Sequence, residues 1–368
     1  MRTFTSVTLL TLASLLTSDR AGAGLYNTVE PSRGPQPTEH GVKPLGFSAF
    51  RDDLTTYLTI AVETQVTPSR KHYLEKSDEL ERRERAGGLT TEEKVNLSDY
   101  LIRLGRYDRA IQLLTPVART ERRNFMVFAN LGTAHQLAGQ LDRALSYLEQ
   151  VRDVWPSEWP GFTREQLSWY REAEKYHLKL VRLRYRESLR QPAGRSRPPE
   201  SVDDLFGNDR GPLHFVGASG RYEAGKLAAT EQEKLPRDAV ALVQQLLLWV
   251  PGGAPGLEDA RLYWLLGELY NAQGYTTTAI QVLDRCAWTH RLPAADLREH
   301  LKIIRASEPL PETVSNTAPA KPLQDQAPPL PATRQIDLRQ VVLVGGLAAV
   351  AVVGLIYLQV REIRRRRK

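Results

Sequence analysis

Cysteine is almost absent from this sequence, which excludes a fold held together by internal disulfides. Cys286 is the single cysteine among 368 residues, so packing must stabilise the chain. His290 follows at i+4 on a predicted helix and could act as a base for the thiol, but no neighbouring residue supplies an orienting acid. A small buried side chain is the more common role of such a cysteine.

Motifs for metals, nucleotides and covalent catalysis are also lacking. The seven histidines are scattered, and neither HExxH nor GxSxG nor a cysteine–histidine cluster occurs. Catalysis needs a nucleophile, a base and an orienting group in one place, and no such set is visible. We therefore expect no enzyme activity, no cofactor and no metal.

An excess of basic charge is present, but it is concentrated at one end. The net charge is +7, and residues 361–368, REIRRRRK, account for most of it. A second basic stretch at 179–199 could contact an anionic surface, but the solvated face of a long helix is the interpretation that we favour. This distribution does not favour a nucleic acid as partner.

The first 23 residues have the pattern of a secretory signal peptide. Arg2 precedes the apolar run Val7–Leu16, and Ala-Gly-Ala at 21–23 offers small side chains at the cleavage positions. An uncleaved anchor or a buried helix are the alternatives, although the run is too short to span a bilayer comfortably.

The stretch Val341–Leu358 has the pattern of a membrane span. Its eighteen residues carry no charge, and at ~1.5 Å each they extend roughly 27 Å. We expect a transmembrane helix at 338–360, a basic cytoplasmic tail at 361–368 and a Pro/Ala-rich, disordered linker at 307–337. The chain would then be a single-pass membrane protein with a periplasmic or extracellular N-terminal domain. A buried core helix is the alternative, but it does not explain the arginines.

A 34-residue repeat runs through the middle of the chain. Gly105 and Gly139 are 34 residues apart, as are Ala110 and Ala144, and a period of this length indicates stacked supersecondary units. In each unit an apolar helix would end at a glycine with left-handed backbone, and a second helix would follow. The residues expected to pack the repeats are small or apolar: Leu97, Gly105, Ala110, Leu131, Gly132, Gly139, Ala144, Leu266, Gly267, Gly274 and Ala279.

The units at 91–124, 125–158 and 260–293 resemble the tetratricopeptide repeat family. The third fits best, with Tyr263, Leu266, Gly267, Tyr270, Gly274, Ala279 and Leu283 in the family's pattern. The resemblance implies an all-α solenoid of helical hairpins over 47–306, within an exported, membrane-anchored bacterial protein. Because such repeats bind other proteins, it also implies a protein partner.

Two segments interrupt or precede the predicted solenoid. Residues 24–46 are rich in Pro, Gly, Thr and Ser and are expected to form an extended lead. An insertion at 191–235 contains LHFV and RYEAG on either side of a Gly-Ala-Ser-Gly turn, which predicts a short β-hairpin. A glycine-rich ligand loop is the alternative, but its spacing matches no nucleotide-binding motif.

The resemblance also implies a peptide-binding groove formed by the first helices of the two consecutive repeats. The family's chaperone-binding branch uses Lys and Asn where Val95 and Asp99 stand here, which argues against capture of a peptide carboxylate. An extended or helical protein segment would fit a mixed polar and apolar groove, although these residues could instead pack on the neighbouring long helix. The candidate groove residues are Val95, Asp99, Ile102, Arg103, Met126, Ala129, Thr133 and Gln136.

Two classes of function remain open on this basis. The first is a membrane-tethered scaffold outside the cytoplasm that mediates protein–protein interactions in envelope complex assembly. The second is a non-catalytic accessory subunit of an envelope enzyme or secretion complex. The sequence does not name the partner in either case.

Overall fold

A computed structural model describes residues 25–29, 34–39, 41–190, 201–250 and 258–307. Within these ranges the chain forms helices, a π-helical segment at Arg285–Thr289 and one antiparallel hairpin of β1 (Gln36–Thr38) and β2 (Gly41–Lys43). The helices are α1 (Phe47–Ile60), α2 (Pro68–Gly87), α3 (Thr91–Arg103), α4 (Tyr107–Thr120), α5 (Phe125–Leu137), α6 (Leu141–Asp153), α7 (Arg164–Arg190), α8 (Ala229–Gln232), α9 (Ala239–Trp249), α10 (Ala260–Ala272), α11 (Thr276–Asp284) and α12 (Ala295–Ser307).

The first helix of each repeat begins at a side-chain cap. Thr90 and Glu93 form a capping box at α3, in which each side chain accepts a hydrogen bond from the other residue's backbone N–H. Asn124 caps α5 and Asp259 caps α10, each accepting from two backbone N–H groups of the first turn. These caps satisfy N–H groups that have no partner within the helix.

Glycines set where the first helices end and how closely the second helices approach. Gly139 and Gly274 follow α5 and α10 with φ of 74° and 82°, a left-handed conformation that side chains other than glycine rarely adopt. Inside α5, a Cβ on Gly132 would lie 2.7 Å from the Leu148 side chain, so α6 packs directly on the α5 backbone. Gly267 stands in the same relation to Leu283 across α10 and α11.

Helix α9 is enclosed by other helices. All eleven of its residues are buried, and it packs against α1, α7 and α10. The buried Gln244 side chain has hydrogen-bond partners at both ends of its amide. Its Oε1 accepts from the Leu45 backbone N–H at 2.8 Å, and its Nε2 donates to the Tyr270 hydroxyl at 2.9 Å. An almost wholly apolar helix of this length is stable only when other elements surround it.

A buried ionic cluster joins α7, the insertion and α10. Arg184 donates two hydrogen bonds to Asp203, at 2.6 and 2.8 Å, and also contacts Asp259 at 3.1 Å. Arg261 contacts the same Asp203 carboxylate and donates to Glu187 at 2.6 Å. Burial raises the pKa of Asp203, while the two guanidinium groups oppose this shift. The basic stretch at 179–199 is therefore not simply a solvated helix face.

The β-hairpin predicted in the insertion is wrong, because no strand pairing occurs at 213–225. The Leu213 and His214 backbone N–H groups donate to the carboxylates of Asp204 and Glu231, at 3.1 and 2.8 Å, rather than to a strand. A turn does form, since the Gly217 N–H donates to the Arg221 carbonyl at 2.7 Å. The only hairpin in the described residues is β1–β2, within the segment expected to be an extended lead.

The prediction of a fold with a transmembrane helix, and of single-pass membrane localisation, is contradicted. Among the described residues, no helix combines the length and apolar character needed to cross a membrane. The longest, α7, has 27 residues but carries charged side chains along its whole length, and the apolar α9 has only 11. Residues 1–23 and 338–368, to which the sequence pattern assigns targeting segments, lie outside the described residues, as does the linker after Ser307.

Candidate functional site

The predicted groove residues lie together on one face of α3 and α5, here called the α3–α5 face. This face is covered by other parts of the chain rather than open. Val95, Asp99, Ile102, Met126, Ala129 and Thr133 are buried, and Arg103 and Gln136 are partly buried.

The N-terminal segment, Leu25–Val29, covers the first part of the α3–α5 face. The Tyr26 backbone N–H donates to Asn130 Oδ1 at 2.7 Å, and Asn130 Nδ2 donates to the Tyr26 carbonyl at 3.1 Å. Asn27 Nδ2 donates to Asp99 at 3.0 Å, and the Thr28 N–H donates to Asn96 Oδ1 at 2.8 Å. Both the backbone and the side chains of the segment are therefore bound.

The Tyr26 side chain fills an aromatic pocket beside this face. It is fully buried, and its ring lies edge-on to Phe125 and Tyr170, with centroid distances of 5.0 and 6.5 Å. Phe162 also lines the pocket, at 6.4 Å. The hydroxyl donates to Glu174 on α7 at 3.1 Å, which satisfies the one polar atom of the side chain.

Helices α7 and α9 cover the rest of the face. Arg103 donates to the Leu248 carbonyl at 2.8 Å, and its guanidinium lies 3.8 Å from the centre of the Tyr57 ring. Gln136 Oε1 lies 2.6 Å from His177 Nε2 on α7. Arg103 therefore contacts α9 and α1, whereas Gln136 contacts α7, the long helix that the sequence offers as the alternative partner of the groove residues.

An open cleft lies between α6 and α7, and we call it the α6–α7 cleft. Its volume is about 1120 Å³, and α6, α7, the β1–β2 hairpin and residues 236–242 form its walls. Leu148, Val151 and Trp155 contribute apolar surface. One face of α7 lines the cleft, through residues spaced by three or four: Arg164, Ser168, Arg171, Lys175, Leu178 and Arg182.

Some of the cations in the α6–α7 cleft are paired and others are not. Arg182 bonds Glu149 at 2.7 Å, and Lys175 bonds Glu172 at 3.1 Å. Arg164, Arg171 and Arg237 form no hydrogen bond or salt bridge with any residue that the structure describes. Trp169 also lines the cleft, and its indole Nε1 is buried without an acceptor. The cleft thus presents donors that are not bound by the residues the structure describes.

A second polar cluster surrounds Glu268 on α10. Its carboxylate accepts from Trp264 Nε1 at 2.7 Å and from the Tyr222 hydroxyl at 2.8 Å, and His300 Nδ1 lies 2.8 Å away. Tyr222 stacks on His300 with centroids 3.6 Å apart, and burial, followed by the charge of Glu268, raises the pKa of Tyr222. Three partners occupy the carboxylate, so the cluster ties α10, α12 and the insertion together.

Cys286 offers no chemistry in this arrangement. Its thiol is buried, and burial raises its pKa well above the ordinary value, which keeps it protonated and unreactive. His290, its candidate base, lies 3.0 Å from the Glu258 carboxylate instead. Within the described ranges, no group of three His, Cys, Asp or Glu side chains could hold a metal ion.

The fold and these surfaces define a class: a helical-hairpin array whose inner face is covered by its own chain. A family model described as tetratricopeptide repeat matches residues 260–287, which are α10, α11 and the start of the π-helical segment. The match supports a relation to that family, whose repeats generally mediate protein–protein interactions. No curated protein matches the sequence.

Proposed function

We propose that the protein is a non-catalytic interaction module that binds an acidic segment of a partner protein in the α6–α7 cleft. The observation that carries this proposal is that Arg164, Arg171 and Arg237, around an apolar floor, form no hydrogen bond or salt bridge with a described residue. Of the three, only Arg164 interacts electrostatically with an opposite charge among those residues, that of Glu165. Arginine beside apolar and aromatic surface is the composition typical of protein interfaces. A carboxylate can accept two hydrogen bonds from one guanidinium, which suits an acidic side chain.

The mixed charge of the cleft favours a polypeptide over a nucleic acid. Glu39, Glu165 and Asp238 line the same space, and hydrogen bonds with its own backbone and with Thr163 lower the pKa of Glu165, which keeps it ionised. Evenly spaced phosphates would meet these carboxylates, whereas a polypeptide can place acidic and neutral side chains where each is matched.

The test uses a charge reversal and a matched control on the same helix. A fluorescein-labelled peptide of alternating Glu and Leu is titrated into the full chain, and fluorescence anisotropy reports binding. Arg171→Glu should weaken binding at least about tenfold, because a neighbouring cation is replaced by a repelling charge. Arg186→Glu, also exposed on α7 but outside the cleft lining, should leave the affinity within about twofold.

Two outcomes would overturn the proposal. Equal weakening by Arg171→Glu and Arg186→Glu would show that the net charge of α7, and not the cleft, attracts the peptide. Tighter binding of a single-stranded oligonucleotide of equal charge would assign the cleft to nucleic acid. Raising the salt concentration should weaken the wild-type complex, since exposed ion pairs are screened.

A further inference from the structure

The α3–α5 face carries a line of polar side chains that bind a crossing segment of the chain. Glu92, Asn96 and Asp99 lie at i, i+4 and i+7 on α3, so they share one side of that helix. Glu92 accepts from the Thr28 hydroxyl at 2.6 Å, and Asn96 and Asp99 accept from Thr28 and Asn27. These side chains point their acceptors at another segment rather than at their own helix.

Asn130 on α5 completes this site by binding the backbone of the segment. Its side chain pairs with both the N–H and the carbonyl of Tyr26, a contact with the backbone that requires no particular side chain. Ser98 Oγ accepts from the same amide at 2.9 Å and orients it. Asn130 is fully buried, so it would be left with unmet hydrogen bonds if the segment departed and nothing replaced it.

The aromatic pocket for Tyr26 gives the site a chemical preference. Phe125, Phe162 and Tyr170 surround the ring, and Glu174 accepts from the hydroxyl. Phenylalanine would fill the same volume but would leave the Glu174 carboxylate without this donor. A site built to hydrogen-bond a hydroxyl discriminates strongly against a ligand that lacks it.

We propose that the α3–α5 face is a peptide-binding site occupied in cis by the N-terminal segment, and that it also accepts a Tyr-Asn-Thr segment from another chain. The partners of the segment are 64 to 148 residues away in sequence, so its contacts are those of a tethered ligand. Val29 is 63% exposed, so its side chain takes no part in the bound stretch Tyr26–Thr28. This site adjoins the α6–α7 cleft, since Glu174 also lines that cleft, but it binds a different ligand chemistry.

The experiment weakens the tethered ligand in the full chain and supplies the segment in trans. A fluorescein-labelled Gly-Leu-Tyr-Asn-Thr-Val peptide is titrated into wild type and into Tyr26→Ala, and anisotropy is measured. A tethered segment competes at an effective concentration on the order of millimolar, so wild type should bind weakly. Tyr26→Ala should bind at least about tenfold more tightly, because its pocket is vacated.

Peptide variants test specificity without altering the protein. Replacing the peptide tyrosine with phenylalanine should weaken binding to Tyr26→Ala about tenfold or more, and a scrambled peptide should not bind. Equal binding of all three peptides would overturn the proposal.

A second protein variant covers the case in which Tyr26→Ala fails to fold. The double variant Asn27→Ala/Thr28→Val keeps the ring buried and removes polar contacts to α3, and it should also bind the labelled peptide more tightly than wild type does. Circular dichroism establishes which variants are folded. If no folded variant binds more tightly than wild type, the site does not exchange its occupant and the proposal is refuted.

Discussion

The α3–α5 face and the α6–α7 cleft lie on neighbouring helices and are both rich in polar side chains, but they differ in how those side chains are paired. On the α3–α5 face, Asn130 and Asp99 bind the chain's own N-terminal segment. In the cleft, Arg171 and Arg237 bind no described residue. A repeat pattern therefore identifies which helices pack together, whereas the pairing of polar groups indicates which surface remains available for a partner.

The strongest test of this comparison uses two arginines of α7. Arg184→Ala should lower the free energy of unfolding by about 3–5 kcal/mol, because it leaves the buried Asp203 carboxylate with fewer compensating contacts. Arg171→Ala should change it by less than about 0.5 kcal/mol, because the side chain is exposed and unpaired. Urea unfolding of both variants measures the difference, and similar losses would mean that Arg171 has a structural partner.

A second test concerns Glu258, a paired carboxylate whose contribution to stability depends on pH. Burial opposes ionisation, but hydrogen bonds from Arg285 and the close approach of His290 prevail and lower the pKa of Glu258 to about 2. The ionised group therefore stabilises the fold above its ordinary pKa of about 4.5, and this contribution is lost as the pH falls towards 2. Glu258→Gln should cost about 2–3 kcal/mol at pH 7 and progressively less between pH 4.5 and 2. A cost that does not change with pH in urea titrations would contradict the assignment.

A smaller effect is expected where packing rather than charge pairing is altered. Gly132→Val should destabilise the protein by about 1–3 kcal/mol, because its Cβ would overlap Leu148 on α6. Gly87→Val is the control, since a Cβ there meets no atom within 4 Å. Thermal unfolding of both variants distinguishes them, and equal melting temperatures would show that α5 and α6 can separate at little cost.

The local features of the repeats could be predicted from sequence. The family match at 260–287 supports the helical repeat character. Gly267, which allows close packing, and Gly274, which has a left-handed backbone, lie within a few residues of each other, so a local sequence pattern records both. The spacing of Arg164, Arg171 and Arg182 also marks one helix face, a signal that is visible in the sequence once α7 is assigned. Glu92 and Asn96 share such a spacing with Asp99, and they were not among the predicted groove residues.

The features that cover the repeats could not be predicted in the same way. Tyr26 reaches Asn130 across 104 residues, and Arg103 reaches Leu248 across 145, and no local pattern records such pairings. The misplaced hairpin has a similar cause, since Asp204 and Glu231 take the backbone donors that a strand would need. The transmembrane helix is predicted from the uncharged run Val341–Leu358 and its basic flank, which lie outside the described residues, and the described helices provide none.

The hydrogen bond from Tyr26 to Glu174 has a consequence for synthesis of the chain. Tyr26 leaves the ribosome before its hydrogen-bond acceptor, Glu174, which follows 148 residues later. At ~5–20 residues per second, the segment waits roughly 7–30 s before its pocket can form. During that interval the aromatic side chain is exposed, and the two repeats can pair before it docks. Tyr26 is therefore expected to be among the last parts of the nascent N-terminal half to become protected from solvent.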